Sequence, residues 1–194
     1  MGTRTGPDDV LDAALACIAR VGLSKTTLDD VAREVGCARA TVYRLFPGKT
    51  PLLVTLVERE TRRFAAQLVE QGRNATTLGD AVVSVVTHAA RALTEHPALV
   101  FVAAYEPEVL LPHLTFDGED RFLASCAELV FPAFTAFLST EEAMRLTEWL
   151  ARITLSYVCC PSERVDLFDA SSVRALADDF VLPGFTNRYE VTSQ

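Results

Sequence analysis

The segment 26–49, TTLDDVAREVGCARATVYRLFPGK, constrains this chain more than any other, because two short helical periods stand on either side of one glycine. Leu28, Val31, Ala32 and Val35 recur at the spacing of one buried helix face, and the Thr27 hydroxyl stands where it caps the free backbone donors. Gly36 follows where a helix end needs a left-handed residue at little steric cost. A second helix is predicted from Arg39, turning Val42, Leu45 and Phe46 to the same core and Arg39, Thr41, Tyr43 and Arg44 outward. Ala32 falls where the two helices cross, a place that a larger side chain would force apart. Such a hairpin, polar on the outside of its second helix, is a helix-turn-helix, in which that helix enters the major groove of DNA.

Charge agrees once its distribution is read. The net charge of −8 argues at first against a nucleic-acid partner. Between Arg33 and Lys49, however, four cations (Arg33, Arg39, Arg44, Lys49) stand against one anion, Glu34. A local basic patch serves phosphate contact, while acidity elsewhere limits indiscriminate adhesion to DNA. The chain of 194 residues, 49% apolar and 23% charged, is long enough for a sizeable core and has the composition of a soluble globular protein.

The residues of this segment resemble the TetR/AcrR group of bacterial transcriptional regulators. The matching positions are Thr26-Thr27, Asp30-Val31-Ala32, Gly36, Ala40-Thr41-Val42-Tyr43, Phe46 and Lys49. The chain departs from that pattern at Ala40, where glycine is common, and at Thr50, where an acidic residue is common. The resemblance covers the first quarter of the chain. It implies a two-fold dimer built from the last two long helices. It also implies an effector whose occupancy tilts the helix starting at Lys49 and moves the two recognition helices apart.

Around this segment the chain reads as all-α. Domains are expected at 1–48, a three-helix head, and at 49–194, a helical bundle for ligand sensing and dimerisation. In the head, residues 1–7 form a short arm, Asp8, Asp9 and Asp12 favour a helix start, and Leu11, Ala14, Leu15 and Ile18 make its buried stripe up to Gly22. A long helix is predicted from Gly48 to about Gly72, with Leu52, Leu53, Leu56, Val57, Phe64, Leu68 and Val69 inside. Further helices are predicted at 79–95, 97–104, 107–112 and 118–138, punctuated by Pro97, Pro107 and Pro112. In the helix at 140–158, charges at Glu141, Arg145, Glu148 and Arg152 repeat along one narrow polar stripe, so its wide apolar arc calls for burial on two sides, one of them by a second subunit. A last helix at 170–182 shows Val173, Leu176, Ala177, Phe180 and Val181 on one face, and residues 186–194 read as a tail.

The candidate DNA contacts are Thr27, Arg39, Thr41, Tyr43, Arg44 and Lys49. An arginine fork matches the two acceptors of guanine, which makes Arg39 and Arg44 the base readers, and Thr41 suits a thymine methyl or a phosphate. Thr27, Tyr43 and Lys49 suit phosphates, which set register rather than sequence. Concentrated aromatics and proline breaks in the second half suggest a cavity lined by Phe101, Tyr105, Phe122, Cys126 and Trp149, with His88 or Tyr105 as polar anchor, for a small apolar or amphipathic effector.

Catalysis is not expected. His88, His96 and His113 share no helical spacing with a nucleophile, and no carboxylate pair stands out. Gly48-Lys49-Thr50 resembles the end of a phosphate-binding loop, but Tyr43 occupies the place of its earlier glycine. The five cysteines form no C-x-x-C pair, so neither a disulfide scaffold, a metal site nor a cofactor is expected; adjacent Cys159 and Cys160 leave a redox role open. With no leader and no apolar run of bilayer length, the expected location is cytoplasmic. The expected function is a dimeric, sequence-specific transcriptional regulator, a repressor released by its effector, on an inverted-repeat operator. The alternative is a helical dimerisation or protein-interaction module that does not use its helix-turn-helix on DNA.

Overall fold

A computed structural model describes residues 5–109 and 122–186, and every regular element among them is helical. Most of the expected arm, the residues around His113 and Phe116, and the tail lie outside the described residues. In chain order the helices are α1 (Pro7–Val21), α2 (Leu28–Val35), α3 (Arg39–Leu45), α4 (Lys49–Arg73), α5 (Leu78–Glu95), α6 (Pro97–Tyr105), α7 (Phe122–Val130), α8 (Thr140–Cys159), α9 (Ala170–Leu176) and α10 (Pro183–Thr186). The described residues form two compact units, one from 5–61 and 95–109, the other from 62–94 and 122–186. Packing therefore assigns α6 and the first half of α4 to the unit that holds the helix-turn-helix.

That first unit closes around Val10, Ala14, Cys17, Val31 and Val42, with Leu52 of α4 and Val102 of α6 packed against them. Removing the valine and leucine side chains among these from water contributes about 1.5–3 kcal/mol each. Helix α1 starts at Pro7, with the Asp9 carboxylate accepting from the Gly6 amide at 2.7 Å. Its acids face α4: the Arg59 guanidinium, only 11% exposed, is held by Asp12 at 2.7 Å and Asp8 at 3.6 Å.

The second unit has its own core, centred on Phe134, Leu146, Ala81, Val82 and Ala90. Helix α8 begins with reciprocal capping, Ser139 Oγ accepting from the Glu142 amide and the Glu142 carboxylate accepting from the Ser139 amide at 3.2 Å. Its buried line is Ala143, Leu146, Thr147, Leu150 and Thr154, while Met144 and Trp149 stay partly exposed.

Several expectations need correction. Val57 is 55% exposed, because α4 buries the line Leu52, Leu56, Ala65, Leu68 and leaves Val57 off it. The helix expected at 118–138 ends at Val130, since Pro132 lacks an amide donor; a 3-10 turn spans Phe131–Ala133. Tyr105, expected to line a cavity, is 73% exposed. The helix expected at 170–182 widens at Ala177–Val181 into a π turn, in which the Leu182 amide donates to Ala177 at 2.9 Å. Val173, Ala177 and Val181 thereby stay buried while Phe180 is 71% exposed. Pro183 opens α10 in its first turn instead of ending the chain's helices.

Gly72, near the end of α4, has no room for a side chain: a Cβ there would lie 2.5 Å from both Cβ and O of Ala133. Alanine improves helix propensity by about 1 kcal/mol, whereas overpacking against backbone costs about 1–3 kcal/mol or more. Gly72→Ala is therefore expected to destabilise the protein on balance, seen as a lower urea midpoint with an unchanged slope.

Candidate nucleic-acid interface

The pair α2–α3 is assembled by local chemistry. Thr27 is extended, and its Oγ1 accepts from the Asp30 amide at 3.2 Å while donating to Oδ2 of Asp30 at 2.5 Å. The Thr27 amide donates to the same carboxylate at 3.1 Å, so the start of α2 is capped in both directions. The Thr27 hydroxyl and amide hold the Asp30 carboxyl below its ordinary range despite some burial. Gly36 is left-handed (φ 71°, ψ 31°) and turns the chain into α3. There Val42 is fully buried and Phe46 nearly so, which aims the other face outward.

On that face Tyr43 and Arg44 are exposed, and Thr41 is half-buried. Arg39 is engaged: its Nε lies 2.7 Å from the Asp29 carboxylate, its Nη2 donates to the Tyr43 hydroxyl at 3.2 Å, and its guanidinium sits 5.1 Å from the ring centre. Base reading by Arg39 requires exchanging these partners, whereas Arg44 starts from an exposed position. Lys49, expected at a phosphate, has an internal duty. Its ammonium donates to the carbonyls of Leu23, at 2.6 Å, and Ser24, at 3.1 Å, in the α1–α2 connection.

The opposite side of the same two residues is held by Glu106, at the end of α6. Its carboxylate accepts from the amides of Leu23 at 2.7 Å and Ser24 at 3.0 Å. Glu106 is 8% exposed. Burial pushes its carboxyl up, but the hydrogen bonds from Ser24 and Leu23, with the Lys49 charge nearby, outweigh burial and leave it below the ordinary range. Gly22 permits the approach, being left-handed in φ (+88°) and so close that a Cβ would stand 2.7 Å from the Phe101 ring and 2.8 Å from Glu106 Oε1. Sequence reasoning missed this clamp: the partners lie 82 and 83 positions apart, and a single glutamate after an apolar run has no local signature.

The proposed effector residues divide between the two units. Phe101 and Tyr105 belong to the first unit and touch, with ring centres 4.8 Å apart. His88, Cys126 and Trp149 belong to the second unit, and the Phe122 side chain falls outside the described residues. Burial raises the Cys126 thiol. His88 lines an open cleft of about 440 Å³ whose wall combines Gln71, Asp80, Ser84, Thr87, Arg91 and Arg174 with Val83 and Ala170. Asp80 and Arg174 are paired in that wall. Among the described residues no group of three or more His, Cys, Asp or Glu is placed to hold a metal ion, and no helix is long and apolar enough to cross a membrane.

A capped α2, a left-handed glycine corner and a polar α3 within a compact helical head define a helix-turn-helix DNA-binding protein. Residues 10–56 match the family model of bacterial regulatory proteins, tetR family. A transcriptional regulator of Mycobacterium tuberculosis, named as HTH-type and uncharacterized, is 26% identical over 187 residues, covering 93% of this chain and 86% of its own length. Among solved structures, the TetR family repressor AlkX from a Dietzia strain, implicated in biodegradation of n-alkanes, superposes with a TM-score of 0.66 at 21% identity, over 94% of this chain and 98% of its own. FadR from Bacillus subtilis, in complex with stearoyl-CoA, gives 0.59 at 19% identity, over 88% and 97%. At those identities the structural likeness concerns the fold. Residues 10–56 thus resemble the tetR family of bacterial regulatory proteins, and the relative matched over most of this chain is a transcriptional regulator.

Since the folded-state pKa of Glu106 lies below the unfolded value of about 4.3, the clamp contributes fully above that pH and loses its contribution as pH falls through the depressed value. Glu106→Gln should lower unfolding free energy at pH 7 by about 1.5–3 kcal/mol, the size of a hydrogen bond to a charged group. The difference from wild type in urea titrations should shrink steadily as the pH is lowered below about 4.

Proposed function

We propose that this protein acts in the cytoplasm as a homodimeric repressor that binds an inverted-repeat operator through α3 and leaves it when an effector binds. The carrying observation is the outward face of α3, where Thr41, Tyr43 and Arg44 project away from a fully buried Val42. In this reading the division at residue 48 is functional: residues 1–48 meet DNA, and residues 49–194 sense ligand and dimerise. Arg44 reads a base, Arg39 joins it after leaving Asp29, and Thr41, Tyr43 and Thr27 approach phosphates or a thymine methyl. Lys49 acts first on the backbone of Leu23 and Ser24. Dimerisation draws support from partly exposed Met144 and Trp149 on α8 and from Phe168 and Phe180 near the chain's end, large apolar side chains that a symmetry mate would cover.

Selection from random duplexes tests the DNA reading, and should return an inverted repeat; recovery of no DNA would favour the protein-interaction alternative. On the selected duplex Arg44→Ala should cost about 1–3 kcal/mol and relax preference at one base pair per half-site. A loss spread equally over selected and scrambled duplexes would reduce Arg44 to a phosphate contact.

The effector is a small apolar or amphipathic molecule, a class suggested by the n-alkane and stearoyl-CoA connections of the two structural neighbours. His88 is the polar anchor in this reading. Stearoyl-CoA is the probe for calorimetry against free protein and against the protein–duplex complex. Affinity should be weaker for the complex by the same factor by which the ligand weakens DNA binding. Equal affinities would dismiss it as an inducer.

A further inference from the structure

From the geometry at the end of α6 we infer that Glu106 is a positioning residue for DNA recognition, acting through the peptide groups of Leu23 and Ser24. This rests on the DNA-binding reading above and adds to it a residue outside both the helix-turn-helix and the matched segment 10–56.

Both polar sides of the two consecutive residues are taken by side chains of opposite charge. Their N–H groups donate to the Glu106 carboxylate at 2.7 and 3.0 Å, and their carbonyls accept from the Lys49 ammonium at 2.6 and 3.1 Å. The connection then closes on itself, with Thr26 Oγ1 donating to the Gly22 carbonyl at 2.6 Å, and leads directly to the Thr27 cap of α2. The position of α2 sets that of α3 through the buried contacts of Val31, Ala32 and Val42. A carboxylate at the end of α6 thus fixes where the recognition pair begins. Charge makes it specific: a carboxylate accepts two amide donors side by side, whereas a glutamine amide offers one oxygen and turns its NH2 against the second donor.

A structural staple and a positioning residue predict different things. Loss of a staple lowers the amount of folded protein and reduces all DNA binding in proportion. Loss of a positioning residue leaves folded protein that still holds phosphates but no longer aligns α3 with base edges, so selected and scrambled duplexes converge in affinity.

The test compares wild type, Glu106→Gln and Glu106→Asp as full-length chains, using the duplex recovered by selection and a scrambled duplex, with fluorescence anisotropy well below the unfolding temperature. Amide exchange at Leu23 and Ser24 and circular dichroism accompany each measurement. Glu106→Gln should exchange faster at both amides, stay helical, keep its affinity for scrambled DNA within about twofold, and lose at least about tenfold in the ratio of selected to scrambled affinity. Aspartate, one methylene shorter, reaches one amide rather than both, and should lose part of that ratio. An unchanged ratio in either folded variant would overturn the inference, as would a parallel fall on both duplexes tracking the loss of helical signal. If Glu106→Gln fails to fold, Glu106→Asp decides alone by the same criterion. Failure of wild type to retain any duplex would instead remove the DNA-binding reading.

Discussion

Two peptide units between α1 and α2 are held from both sides by charge, and the head of this protein depends on them. A backbone amide withdrawn from water without a partner costs about 1–3 kcal/mol, and a connection between helices has no ladder of its own to supply one. Glu106 and Lys49 supply all four partners, from α6 and from the first residue of α4. Each charge also offsets the burial of the other, which makes the arrangement costly to break by removing one member. Gly22 is the complement of this clamp, since only a residue without a side chain takes its backbone angle and leaves space for Phe101 and Glu106.

The ion pairs of the head therefore differ in consequence. Arg20–Glu34 and Arg33–Asp30 lie in solvent, where such pairs contribute little. Arg59 is largely withdrawn from water, and its bonds to Asp8 and Asp12 tie the start of α1 to α4. Arg39–Asp29 is likewise exposed, so little is lost when it opens. Charge in this unit holds the scaffold where it is buried and leaves the α3 surface available.

The second unit is governed by fit. Glycine at position 72 allows α4 to approach Ala133 at backbone distance, and the π turn after α9 rotates the chain so that Ala177 and Val181 remain inside. That rotation also exposes Phe180. The cleft around His88, with the Asp80–Arg174 pair in its wall, sits on the same unit as an apolar core.

The local grammar of the helix-turn-helix was readable in the chain: Thr27 as cap, Gly36 as corner and Val42 as the buried point of α3 follow from interactions within a few residues. The same holds for most helix starts and for the proline at the head of α4, because caps and periodicities are short-range. Four things required the tertiary structure. Lys49 donates to the carbonyls of Leu23 and Ser24, partners that were invisible from position 49. Val57 and Phe180 fit an apolar face on paper, but burial depends on which elements arrive, and a π turn shifts the phase. The proposed pocket residues divide between two units, a division that composition does not reveal. Glu106 carried no signal at all, since a carboxylate is identified as a clamp only by the two amides that folding brings to it.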